Sequence, residues 1–110
     1  MSNLDTLLMS NPINSEDFIK VLDEESRIMV IESKDKNVTE ESLIKDLNFI
    51  GLSKYIVNKS KTANLTDLYA SINKLNHAIE VTTDSKQVKI YRILISILIQ
   101  RAGTLEYNGN

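Results

Sequence analysis

Apolar residues recur at steps of three and four along most of the chain, and this is the spacing of one face of an α-helix. The clearest example is residues 65–79, where Leu, Tyr and Ile side chains keep that spacing after Asn64, a good helix N-cap. Another segment begins at Asn14 or Ser15 and has acids in its first turn, where the helix dipole favours negative charge. The pattern predicts an all-α fold.

Breaks in this pattern divide the chain into a compact bundle of about five helices. Asn11-Pro12 ends a short helical turn or docked arm at residues 3–9, because the residue before a proline avoids the helical conformation. Residues 28–31 fit either a continued helix or one short strand, and we favour a helix because no partner strand is evident. Residues 33–37 are expected to form a polar loop.

A further helix is predicted to begin at Thr39, with Val38 and Leu43 placed to pack together across the cap. We expect Gly51 to end this helix, since glycine readily adopts the left-handed conformation of a helix C-terminus. Ser53 would then cap another helix at once.

The last predicted helix, residues 85–102, is apolar on almost every side. Its most apolar stretch is about half as long as a membrane-spanning helix, so we expect no membrane span. Such a helix lies either at the centre of a bundle or at an interface between copies, and both alternatives are open. In the second case a homodimer or higher oligomer would form through Tyr91, Leu94, Ile95 and Leu98. Gly103 should end the helix, and residues 104–110 should be a frayed tail.

Composition indicates an ordinary globular protein with a single helical domain over residues 1–110. There is no cysteine, and 3 Gly and 1 Pro are too few turn residues for a many-stranded sandwich. The first residues lack the basic region of a signal peptide, so we expect a cytoplasmic protein of a bacterial or host cell. The abundance of Lys and Asn is common in AT-rich bacterial and phage genomes, which suggests such an origin.

Charge is distributed unevenly along the chain. Residues 1–50 contain 11 acids and 5 bases, whereas residues 51–110 contain 4 acids and 8 bases. The acidic helix 15–33 is therefore a candidate surface for a protein partner, and the basic second half is the part that could contact phosphate.

Residues 43–61 resemble the helix-turn-helix element of DNA-binding proteins, and their central part, IGLSKYIVNK at positions 50–59, resembles its turn and recognition helix. Gly51 stands in the turn, Leu52 follows as a core residue, and Ser53 stands at the start of the second helix. The sequence departs from the family pattern at Leu47, where a small residue is usual.

The resemblance implies that residues 40–60 contact DNA, with the lysines on phosphates and Asn58 on adenine edges. The residues that it places at this surface are Ser53, Lys54, Tyr55, Asn58, Lys59 and Lys61. The alternative is a helix, a glycine stop and a second capped helix, as in any helical bundle.

Other chemistry is not evident from the sequence. His77 is the only histidine and has no second ligand in register, so no metal site is predicted. The carboxylates form solvated helix faces, and no phosphate-binding loop or nucleophile motif occurs, so we expect no catalytic residues, no cofactor and no enzyme activity.

Two functional hypotheses follow. The first is a small DNA-binding or regulatory protein that contacts DNA through residues 40–60 and self-associates through residues 85–102. The second is a protein-binding module, such as an assembly chaperone, inhibitor or adaptor, that docks through the acidic helix 15–33 or the apolar last helix and has no nucleic-acid role.

Overall fold

The computed structural model describes residues 3–108, which form α-helices and no strand within that range. In chain order the helices are α1 (Asn3–Leu8), α2 (Ser15–Asp35), α3 (Glu40–Ser60), α4 (Leu65–Val81) and α5 (Ser85–Tyr107). The all-α prediction is confirmed, and residues 28–31 are helical because they lie inside α2. The prediction of a frayed tail over residues 104–110 is wrong for residues 104–107, which belong to α5, and residues 109–110 lie outside the described residues.

The starts of the four long helices agree with the sequence analysis. Each is capped by a side-chain oxygen that accepts a hydrogen bond from a backbone N–H of the first turn. The capping residues are Asn14, Thr39, Asn64 and Asp84. These caps explain why each helix begins at the residue observed.

The helix ends differ from the prediction. Neither Gly51 nor Gly103 ends a helix, since α3 continues through the first and α5 continues through the second to Tyr107. A glycine in a helix interior costs about 1 kcal/mol relative to alanine, and packing on either side readily outweighs that. Leu105, for example, packs against the core beyond Gly103. Similarly, α2 continues to Asp35 and so includes the first three residues of the predicted loop.

The centre of the bundle is α5. It supplies six buried side chains, more than any other helix, and α4 lies along one side of it. The helices α1 and α3 pack on other sides of α5, while α2 pairs with α3 and contacts α1. The buried residues of α5 are Ile90, Ile93, Leu94, Ile97, Leu98 and Ala102. The prediction of a central apolar C-terminal helix is therefore confirmed.

The molecule is elongated, measuring 52 × 24 × 22 Å. The other helices cover only part of the α2–α3 hairpin. The buried residues of α2 lie in its first half, and those of α3 begin at Ile50. Residues 24–49, which we call the distal hairpin, contain no fully buried residue. None of the described helices is long and apolar enough to cross a membrane.

Candidate functional site

The turn implied by the helix-turn-helix resemblance is not formed. The helix α3 runs without a break from Glu40 to Ser60, so the prediction that Gly51 separates two helices is wrong. The helix continues because Ile50 and Val57 bury their side chains against the same core on either side of Gly51. A straight α3 cannot present residues 53–60 as a separate recognition helix.

Ser53, the predicted N-cap at the DNA surface, is buried instead. Ser53 is 2% exposed, and its hydroxyl donates a hydrogen bond to the carbonyl of Phe49 at 2.9 Å. A serine inside a helix commonly bonds the carbonyl of the preceding turn in this way. The prediction that Ser53 lies at a surface that contacts DNA is therefore wrong.

The other predicted DNA contacts lie at least partly at the surface of α3. Lys54 forms an ion pair with Asp23 of α2, with 2.6 Å between its Nζ and the Asp23 Oδ1. The ammonium of Lys59 lies 5.8 Å from the centre of the Tyr55 ring, within cation–π range. Asn58 and Lys61 are exposed.

Ion pairs join the acidic first half of the chain to the basic second half. Besides Lys54, Lys86 lies 2.9 Å from Glu25. Lys89 likewise lies 2.8 Å from Asp5. Three lysines that could have met phosphate thus face carboxylates of the same chain. The sequence carried a signal of this arrangement in the opposite charge balance of its two halves.

The predicted oligomer interface on α5 belongs to the chain's own core. Leu94 and Leu98 are each 1% exposed. Tyr91 packs edge-to-face against Phe49, with the ring centres 5.2 Å apart, and Ile95 is half-buried against the core. Of the two alternatives for this helix, the centre of a single bundle is the one that the structure contains. Leu94 and Leu98 are therefore not accessible to a second copy, whereas Tyr91 and Ile95 remain partly exposed.

His77 is exposed, and its Nδ1 lies 3.7 Å from a carboxylate oxygen of Glu80. Within residues 3–108, no group of three or more His, Cys, Asp or Glu side chains is placed to hold a metal ion. A concave site lies elsewhere, at the distal hairpin.

This concave site, which we call the hairpin groove, lies between the end of α2, the first half of α3 and the start of α5. Its volume is about 210 Å³. The apolar residues that line it are Met29, Val38, Leu43, Phe49 and Ile90. Ile90 is fully buried, whereas Val38 is 40% exposed, so the groove has an apolar floor and an open apolar rim.

Charged side chains surround this apolar floor. Lys36 and Lys86 line the groove, and each lies within 4 Å of a glutamate carboxylate of α2. Asp84 lines it too and caps α5 by accepting from two backbone N–H groups. Asp46 also lines the groove and has no basic nitrogen within 4 Å among the described residues. The cations are thus paired within the chain, and one acid is available to a partner.

Part of this site was predictable from the sequence. Val38 and Leu43 were expected to lie close together across the Thr39 cap, and both line the groove. The contribution of Ile90 could not be anticipated, because the start of α5 is distant in sequence and meets the hairpin only through the tertiary fold.

A scan against protein-family models, a search of curated proteins and a search of solved structures each returned no match to this chain.

Proposed function

We propose that this chain is a non-enzymatic protein-binding module that holds a basic, amphipathic helix of a partner protein in the hairpin groove. The observation that carries the proposal is an open groove with an apolar floor in the most acidic part of the molecule. An amphipathic helix that lays its apolar face into such a groove is a recurrent mode of peptide recognition.

The size of the groove supports a protein ligand over a small molecule. Its volume of about 210 Å³ is below the ~300–1,000 Å³ of typical small-molecule sites. A space of that size suits one or two apolar side chains of a helix whose remaining surface lies along the rim. Met29 adds adaptability to the lining, because methionine is unbranched and fits apolar surfaces of different shape.

Charge supports a basic partner. Residues 23–46 contain eight acids and four bases, a net charge of −4. A cationic helix would be attracted to this end of the molecule, and Asp46 is available at the groove to pair with a lysine or arginine of the partner. An acidic helix or a nucleic-acid backbone would be repelled from it.

The distal hairpin also retains apolar surface that the chain itself does not cover. Val30 and Ile31 of α2 are 39% and 57% exposed, and Val38 at the rim of the groove is 40% exposed. Exposed apolar residues in this part of the molecule are available for contact with a partner protein.

The proposal is tested with a designed fluorescent peptide of leucine and lysine, about 18 residues long and amphipathic at helical spacing. We expect fluorescence anisotropy to show binding that weakens with salt, and amide chemical shifts to change around the groove. Val38→Asp should weaken binding by roughly tenfold or more, because it places a carboxylate on the apolar rim. Asp46→Lys should weaken it as well, by repelling the cationic peptide.

Glu106→Lys is the matched control for Asp46→Lys, because it replaces an acid by a lysine at the end of α5 that is distant from the groove. It should leave peptide affinity within roughly twofold. A second peptide, with glutamate in place of lysine, should bind far more weakly. Equal binding of both peptides, or no effect of Val38→Asp in a folded variant, would refute the groove as the site.

A second experiment tests the DNA-binding hypothesis. A gel-shift titration with a DNA duplex at two salt concentrations should show no binding tighter than millimolar at low salt. Salt-dependent binding that Lys59→Glu with Lys61→Glu abolishes would overturn the proposal and favour DNA as the partner.

A further inference from the structure

The helix α3 carries a second apolar surface, on the side opposite the core. Its buried residues Ile50, Ser53 and Val57 lie on one face of the helix. At 100° per residue, Ile44, Gly51 and Tyr55 fall within about 40° of one another on the opposite face. Ile44 and Tyr55 are 50% and 55% exposed, and Leu52, at the edge of the same stripe, is 57% exposed. We call these four residues the outer stripe.

Gly51 lies in the middle of the outer stripe and has no evident role within the chain. A Cβ atom placed there would meet no atom within 4 Å, so no neighbouring group of the same chain requires a glycine. A small residue on an exposed helix face allows a second helix backbone to approach closely. The glycine therefore fits a helix-to-helix contact centred near residue 51.

The charges of α3 indicate which helix would fit. Glu40 and Glu41 occupy its first turn, and Lys59 lies in its last turn with Lys61 just beyond. Among the described residues, none of these four forms an ion pair within the chain. A helix that is acidic at one end and basic at the other is complementary to an antiparallel copy of itself.

An antiparallel pair that crosses between residues 49 and 50 places apolar residues of one copy opposite apolar residues of the other, and acids near bases. Ile44 then lies opposite Tyr55 of the second copy, and Asn48 lies opposite Gly51. The same register brings Glu41 within one residue of the level of Lys59 of the second copy, and at 100° per residue both lie on the same flank of the outer stripe. Because the arrangement is symmetric, each of these contacts occurs twice.

We infer that the chain forms a homodimer through the outer stripe of α3, with the two α3 helices antiparallel and crossing near Asn48 and Gly51. The hairpin groove involves the opposite, core-facing side of α3, so the dimer leaves both grooves open. The dimer would therefore present two equivalent groove sites. This interface replaces the one on α5 that the sequence predicted.

Single introduced cysteines test the geometry, because the natural chain has none. In the antiparallel dimer, the two copies of Asn48→Cys lie about 5 Å apart along the helix axes, within disulfide range. The two copies of Ile44→Cys lie about 17 Å apart along the axes and should not join. We expect mild oxidation to cross-link the N48C variant and not the I44C variant.

A parallel pair would place identical residues opposite each other, so cross-linking of both variants would contradict the antiparallel arrangement. Cross-linking of neither would contradict the interface. The experiment does not depend on the hairpin groove, so its failure leaves the peptide-binding proposal standing.

Sedimentation equilibrium of the full chain tests the association itself. Tyr55→Asp should weaken the dimer by roughly tenfold or more, while Ile99→Asp, at a similarly exposed position on α5, should not. Glu41→Lys and Lys59→Glu should each weaken it by roughly threefold, and the two changes together should restore it. A monomer at all concentrations, or no rescue by the double exchange, would overturn the inference.

Discussion

Gln100 joins α5 to the segment before α2 through both polar ends of its amide. Its Oε1 accepts a hydrogen bond from the Ile13 N–H at 2.7 Å, and its Nε2 donates to the Ile13 carbonyl at 2.9 Å. Ile13 is buried, so water cannot readily replace either bond. The side chain thus satisfies a stretch of backbone that lies outside any helix.

Gln100→Glu should lower the free energy of unfolding by about 1–3 kcal/mol. A carboxylate can still accept from the Ile13 N–H, but it cannot donate to the Ile13 carbonyl and would repel it. Urea unfolding measures the change. Gln87→Glu is the control, because the Gln87 side chain accepts a hydrogen bond from Thr82 Oγ1 and glutamate preserves that role. An equal loss in both variants would contradict the explanation.

The glycines of α3 and α5 provide a second test at the residue scale. Gly51 and Gly103 both lie inside helices, and a Cβ at either position would meet open space. We expect Gly51→Ala and Gly103→Ala each to raise the free energy of unfolding by about 0.5–1 kcal/mol, because alanine restricts the unfolded chain. Urea unfolding at low protein concentration measures this for the monomer.

A loss of stability in Gly51→Ala alone would mean that residue 51 adopts a conformation that only glycine tolerates. The helix would then be broken at that point, as the sequence resemblance implied. The Gly103→Ala variant serves as the internal reference for a glycine in a continuous helix.

At the scale of elements, the starts of the four long helices were predictable and their ends were not, although the additional start predicted at Ser53 does not exist. A cap such as Thr39 accepts a hydrogen bond from a backbone N–H in the first turn of its own helix, so a few neighbouring residues specify it. A glycine stop is only a preference, and contacts distant in sequence can override it. The continuation of α3 beyond Gly51 depends on the packing of Val57 against a core that α5 provides.

The role of α5 as a core element leads to a prediction about Leu94. Leu94→Ala should lower the free energy of unfolding by about 3 kcal/mol, because it leaves a cavity in the centre of the bundle. Thermal or urea unfolding measures the loss. Sedimentation of the folded variant should show the same association constant as the natural chain.

Ile99→Ala is the companion to Leu94→Ala on the same helix. Ile99 is 54% exposed, so its truncation should cost far less stability. A variant Leu94→Ala that keeps its stability but loses self-association would instead support the α5 interface.

At the scale of the whole molecule, the hairpin groove depends on the relative placement of helices, which cannot be read from local sequence patterns. The net charge of each half can be counted from the sequence, and the helical spacing of apolar residues can be recognised from neighbouring positions. The groove combines Met29, Leu43 and Ile90 from three helices, and its existence depends on how far the α2–α3 hairpin projects beyond the start of α5. No local pattern specifies that relation.

The uneven distribution of buried residues predicts uneven local stability. Hydrogen exchange measured by mass spectrometry should show the least protection among the long helices in the distal hairpin, residues 24–49. It should show the most in the middle of α5, where Ile93 and Leu94 are essentially inaccessible to solvent. The reason is that local opening costs little where no side chain is fully buried and much where the core must be exposed.

The same measurement separates the two proposed contacts. Dimer formation should protect α3 around Gly51 as protein concentration rises, whereas the leucine–lysine peptide should protect the end of α2 and the start of α5. Uniform protection across all helices would contradict the expected difference between the hairpin and the core. Peptide-induced protection confined to the outer stripe would place the peptide at the dimer surface and exclude the groove as its site.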